Sequence, residues 1–125
     1  MHTPFLRIAT LFAALSVALG AFAAHALKKI LTLEALAVFE TGVKYQFYHS
    51  FAILATGILF QTYSNRYMLW AGRLFMAGIV LFSGSLYALS MLMPQFRFLG
   101  MITPLGGVSF IAGWLFLFKG ISAKN

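Results

Sequence analysis

The sequence predicts an all-α integral membrane protein, a four-helix bundle with a short interfacial amphipathic helix after the first span. Three observations lead there. Of the 125 residues, 62% are hydrophobic and only 9% charged, against usual shares of ~45–50% and ~25% in soluble domains. The apolar residues fall into four long runs, each near the ~20 residues that cross ~30 Å of hydrocarbon. None of the runs alternates apolar with polar residues, which a membrane-spanning strand requires. With a mean hydropathy of +0.91, lipid must be the solvent for much of the surface, and residues 1–125 read as one domain.

The charge balance narrows the function classes. Nine basic residues against two acidic ones give a formal net charge of +7. The basic residues sit at the ends of apolar runs, where they reach headgroups and attract anionic lipid. No basic stripe with interleaved aromatics is present, so nucleic acid is not an expected partner. Cysteine is absent, which removes disulfides, thiolate chemistry and cysteine-based metal sites.

The first span, about 6–27, carries a stripe of small residues at helical spacing, Ala9, Ala13, Ser16, Gly20 and Ala24. Small faces let helices approach closely in lipid, so this stripe is expected inside, with Ile8, Phe12, Leu15, Leu19 and Phe22 toward lipid. Arg7, the apolar core and the Ala21-Phe22-Ala23 and Ala24-His25-Ala26 triplets imitate a secretory signal. The small stripe runs through those triplets, which favours a retained span.

Lys28 and Lys29 close this helix near the headgroups, complementing its dipole. A short amphipathic helix at about 32–41, capped by Thr32, is expected to lie along the interface. The second span, about 43–62, holds the unusual chemistry. Glu40, Thr41, Lys44, Tyr45, Tyr48 and His49 cluster at its start, and polar groups at membrane depth require a reason. Thr41, Tyr45, Tyr48, His49, Ala52 and Thr56 share the face expected inside, and Phe47, Phe51, Leu54 and Ile58 the face expected outside. Glu40 and Lys44 stand in the favourable i,i+4 order for an ion pair.

Tyr63, Tyr67 and Trp70, with Arg66 and Arg73, form an aromatic and basic belt before the third span, about 69–93. There Phe75, Ile79, Phe82, Leu86, Leu89 and Met93 make an apolar stripe, beside the small and hydroxyl residues Ala77, Ser83, Gly84, Ser85, Tyr87, Ala88 and Ser90, and Pro94 closes the region. The fourth span, about 98–118, contains Thr103, Pro104, Gly106 and Gly107. Pro104 frees the carbonyl of Gly100, and a kink there keeps the span long enough to cross. Arg7, Arg66, Arg73, Lys119 and Lys124 outnumber Lys28, Lys29, Lys44 and Arg97, so both termini are expected in the cytoplasm.

Four segments, GAFAAHAL at 20–27, FETGVKYQFYH at 39–49, LFSGSLYAL at 81–89 and ITPLGGVSFIAGW at 102–114, resemble the signatures of the YgdD-like family. These are small four-span membrane proteins, bacterial and mitochondrial, forming a domain of unknown function. The family's first motif usually reads GAFGAHAL, so Ala23 stands here for a glycine. The resemblance implies a bacterial inner-membrane, multi-pass location and no particular reaction. It matches the motif positions His25, Thr41, Gly42, Tyr45, His49, Ser83, Gly84, Ser85, Tyr87, Thr103, Pro104, Gly106 and Gly107.

Two function classes follow. The first is a non-enzymatic accessory or scaffold protein acting by helix packing through Ser16, Gly20, Ala24, Ser83, Gly84, Ser85, Thr103, Pro104, Gly106 and Gly107, within a larger membrane complex or a homo-oligomer. On this reading Gly20→Leu or Gly84→Leu abolishes assembly. The second is a conduit or carrier for protons or a small solute, using His25, Lys44, Tyr45 and His49 brought to similar depth. No enzyme is expected. Ser83 and Ser85 lack the flanking glycines of a nucleophile elbow, and no aspartate could orient a base. Neither a cofactor nor a metal is expected, since Glu34 and Glu40 are the only carboxylates and haem or metal ligation would have to rest on the histidines.

Overall fold

The computed structural model describes residues 1–92 and 97–123. Every regular element among them is helical, and the chain runs up, down, up and down as four rods. Helix α1 spans Thr3–His25. Its start is set by His2, whose Nδ1 accepts from the Phe5 amide at 3.3 Å, and by Pro4 in the first turn, where no amide hydrogen is needed. A 3₁₀ turn at Leu27–Lys29 follows. Helix α2 spans Leu33–Leu59, with Thr32 Oγ1 accepting from the Ala35 amide at 3.1 Å.

The expected interfacial helix at 32–41 does not stand apart. Its residues are the first turns of α2, which runs unbroken through Thr41 and Gly42. Thr32 caps as expected, and nothing between 41 and 43 breaks the ladder.

Asn65 turns the chain into the third rod. Its Oδ1 accepts from the Tyr67 and Met68 amides, and its Nδ2 donates to the Gly120 carbonyl at 2.9 Å. The rod comprises α3, Arg66–Gly78, a π-helical turn at Ile79–Ser83, and α4, Gly84–Leu92. After a 3₁₀ turn at Arg97–Met101 comes α5, Thr103–Ser122. Pro104 therefore opens a helix instead of kinking one, and the residue before α5 is Ile102, with no side-chain cap. The 3₁₀ turn recovers the length that a start at Thr103 gives up: from Phe98 to Ser122 there are 25 helical residues. Met93, Pro94 and Lys124 lie outside the described residues.

Three of the rods, Thr3–Lys29, Arg66–Leu92 and Phe98–Ser122, are long and apolar enough to cross a membrane. Helix α2 is as long, 27 residues or about 40 Å, but polar side chains interrupt it. It packs between α1 and the third rod, and α5 packs on that rod and also meets α2 through Phe110 and Trp114.

The core interlocks rings with glycines. On α5, Gly106, Gly113 and Gly120 recur every seven residues and receive Phe82, Phe75 and Met68, which recur every seven on the third rod. A Cβ on Gly106 would overlap the backbone nitrogen of Phe82, so this is the closest backbone approach of the pair. Going the other way, the Phe110 ring lies over Gly78. The division of small residues inward and phenylalanines outward is thus corrected. Phe5, Phe39, Phe75 and Phe110 are buried, and Phe12, Ile8 and Leu19 pack against the core. Ala9 and Ser16 face inward as expected, whereas Ala24 is exposed. Gly84 faces outward with no atom near it, and a Cβ on Gly20 would meet only Val43 at 3.5 Å. Where a facing helix offers a glycine, a ring gains contacts that lipid tails do not supply, and it turns inward.

Candidate functional site

The polar cluster expected around His49 is dispersed by the fold. Register follows from the α1–α2 contacts. Gly20 faces Val43, the Phe12 carbonyl meets Gln46, and His2 bonds Gly57. Position 49 is therefore level with the body of α1, and His25, exposed at its end, lies roughly 16–24 Å away along the axis. Glu40 and Lys44 are exposed and form no ion pair with each other. Thr41 Oγ1 bonds back to Ala37 within its own helix at 2.9 Å. Tyr48 is 57% exposed and Tyr45 39%, against the expectation that both face inward. Lys44 and Tyr48 line a shallow groove of about 280 Å³ with Ser16, Val17, Gly20, Val43 and Phe47. Of the expected cluster only His49 is buried.

Two other constellations take its place. The first joins α1, α2 and the third rod through Gln46, buried to 2% exposure. Gln46 Nε2 donates to the Phe12 carbonyl at 2.9 Å, and its Oε1 accepts from the Tyr87 hydroxyl at 2.6 Å. The amide's orientation is fixed, because a carbonyl can only accept. Ser16 Oγ donates to the same Phe12 carbonyl at 2.8 Å. Beneath this link Ser83 Oγ donates to the Gly42 carbonyl at 2.7 Å. The Tyr87 ring lies so close over Gly42 that an added Cβ would stand 2.7 Å from it.

The second constellation surrounds His49. Its Nδ1 lies 2.8 Å from the Tyr45 carbonyl, and its Nε2 3.2 Å from Trp114 Nε1. An indole nitrogen only donates and a carbonyl only accepts. The ring is therefore the neutral tautomer with its proton on Nδ1. It stacks on Phe110 with centroids 3.5 Å apart and planes 12° from parallel. Tyr45, Phe82, Gly107, Ile111 and Trp114 complete a cavity of about 390 Å³ beside it.

The serine motif serves packing contacts here. Ser83 is fully buried on Gly42, and Ser85 Oγ lies 2.6 Å from Thr103 Oγ1 and donates to the Phe82 carbonyl. Both His49 nitrogens are engaged elsewhere, so neither serine has a histidine partner. Among the described residues, no three His, Asp or Glu side chains gather as metal ligands. Phe110 and Trp114 were missed in the sequence as site residues, and Gln46, which stands within the polar stretch at 39–49, was left out of the expected set. The legible signal for Gln46 was an uncharged amide inside a run of aromatic residues.

Residues 19–107 match the model of a protein family of unknown function, DUF423. The chain belongs to this family. Similar relatives include the UPF0382 membrane protein SH2409 of Staphylococcus haemolyticus, 44% identical over 90% of both chains. The UPF0382 membrane protein SSP2132 of Staphylococcus saprophyticus is 46% identical over 93% of this chain and 94% of the relative. The UPF0382 inner membrane protein YgdD of Escherichia coli K12 is 40% identical over 91% and 88%. The resemblance to the YgdD-like family thus holds over nearly the whole chain. No solved structure matches.

Proposed function

We propose that this DUF423 family member crosses a bacterial inner membrane four times, with both termini cytoplasmic. In that membrane it works as a non-enzymatic accessory or scaffold protein, held in a larger complex or a homo-oligomer and surrounded by anionic lipid. The supporting observation is how the interior polarity is used. Gln46, Ser83, Ser85, His49 and Tyr87 all bond across or along helices, and among the described residues no buried side-chain nitrogen or oxygen lacks a partner. Such groups fasten helices together where the hydrophobic effect is weak, and they leave no row of free sites for an ion to follow.

The fourth crossing is α2. Its acidic residues, Glu34 and Glu40, stand in the first turns and are exposed. Helical side chains tilt toward the N-terminus, so the Lys44 stem leads its ammonium to that same headgroup layer. At the bundle's other end, Arg66 and Lys119 lie over the Tyr67 ring at 5.3 and 4.7 Å, and Arg73 over Trp70 at 5.4 Å. That aromatic and basic belt suits the cytoplasmic interface.

Native mass spectrometry of the protein, gently extracted from its own membrane, tests the role. A second polypeptide in fixed ratio, or a defined homo-oligomer, is the expected result. A bare monomer that conducts protons or solute in liposomes would overturn it.

A further inference from the structure

The cavity beside His49 is unlike the other surface hollows, because its wall holds a hydrogen-bonded polar pair, buried His49 and half-exposed Trp114, beside near-parallel rings. The geometry points to a binding site for a lipid-soluble quinone, held edge-on to His49 and Trp114 with its ring against Tyr45. This inference goes beyond the scaffold role and does not depend on it.

Four observations support it. His49 is buried to 6% exposure, while Trp114, its hydrogen-bond partner, is 48% exposed. Their bond of 3.2 Å is at the long limit for N–H donors, so turning the indole outward gives up one long hydrogen bond and its edge contact with Phe75. What it then uncovers is one donor, Trp114 Nε1–H, beside one acceptor, His49 Nε2. A quinone carbonyl takes the donor, and the hydroxyl of the reduced ring gives its hydrogen to the acceptor.

The walls match a flat ring. His49 and Phe110 stack, the Tyr45 ring is 21° from parallel to Phe110 at 6.2 Å, and Trp114 stands at 62° to His49 as a side wall. Depth is the third observation. Trp114 lies midway along α5, since Gly113 and Gly120 meet Phe75 and Met68, and His49 is level with the body of α1. A ligand entering there comes sideways from the acyl region, which admits lipid-soluble molecules and not water-soluble ones. Finally, Gly107 leaves the floor open. A Cβ there would meet nothing nearer than Phe82 at 4.0 Å, and the volume of about 390 Å³ falls within the ~300–1,000 Å³ of small-molecule pockets.

Trp114 supplies its own readout, because quinones quench indole fluorescence. The test uses the full-length protein in lipid nanodiscs carrying Trp70→Phe, so that Trp114 is the sole reporter, titrated with a decyl-substituted benzoquinone. The expected result is saturable quenching, with the half-saturation concentration raised at least tenfold by Gly107→Leu, whose Cβ enters the open floor. Ile111→Phe, a substitution at an exposed residue of the cavity rim, should weaken binding in the same direction and serves if Gly107→Leu does not fold. Decylbenzene, which lacks the oxygens, should fail to displace the quinone at equal concentration. Linear quenching that neither variant changes, or equal displacement by decylbenzene, would overturn the inference.

Discussion

The Tyr87 hydroxyl donates to Gln46 Oε1 at 2.6 Å, joining residues 41 positions apart in the chain. Through the same amide the bond continues to the Phe12 carbonyl, so one side chain fastens three helices. Tyr87→Phe leaves Oε1 buried and unpaired. The expected loss is about 0.6–1.7 kcal/mol, the range for hydrogen bonds between membrane helices, measured by reversible unfolding in mixed micelles. In the double variant with Gln46→Leu, the Tyr87→Phe loss should largely vanish, since both partners are then apolar. Full additivity in that cycle would mean that the two side chains do not interact.

Glycines on this chain should divide sharply by position. Gly106→Ala forces a carbon into the Phe82 backbone and should destabilise the fold by at least ~1–3 kcal/mol, as overpacking does. Gly84→Leu enters open space and should leave the unfolding midpoint of the isolated chain unchanged. A reversed order would contradict the packing of α5 on the third rod.

Asn65 performs two tasks with opposite ends of one amide. Asn65→Ala removes both the cap of α3 and the tie to Gly120 and should destabilise by about 1–2 kcal/mol. Asn65→Asp keeps an accepting oxygen at a helix N-terminus but has no hydrogen for Gly120. It should fall between the wild type and alanine. Equal midpoints for Asn65→Asp and the wild type would show that the tie to Gly120 contributes nothing.

The absence of cysteine makes the chain a ready subject for accessibility mapping. Ile30→Cys and Ser64→Cys sit in exposed turns at the two ends of α2. If α2 crosses the bilayer, a membrane-impermeant maleimide should label position 30 in intact cells and position 64 only after permeabilisation. Labelling of both from one side would remove α2 as a span.

Membership of the all-helical class and the places of the rods were legible because apolar run length answers directly to bilayer thickness. So was the Thr32 cap, a local interaction. Facing was harder to read. Phe75 and Phe110 look lipid-bound in a sequence, and only Gly113 and Gly78 across the interface turn them inward. The seven-residue spacing of Gly106, Gly113 and Gly120 was present as a signal. Its meaning lay in the matching spacing of Met68, Phe75 and Phe82 on another helix. The site was misread for a related reason. Glu40, Lys44 and Tyr48 carry the conspicuous chemistry but point outward, whereas the plainer Gln46 points to a carbonyl 34 residues away.

The π-helical turn at Ile79–Ser83 carries a consequence for how this sequence can vary. Such a turn accommodates one residue more than an α-helical turn, and everything after it depends on that surplus. Losing a single residue there would restore an ordinary helix and swing α4 by about 100° relative to α3. Tyr87 would leave Gln46, and the packing of Phe82 on Gly106 would be lost with it. A substitution within these five positions acts at its own contacts, such as the bond of Ser83 to Gly42. A change in their number displaces every contact of α4 at once, so the length of this segment carries a constraint of its own.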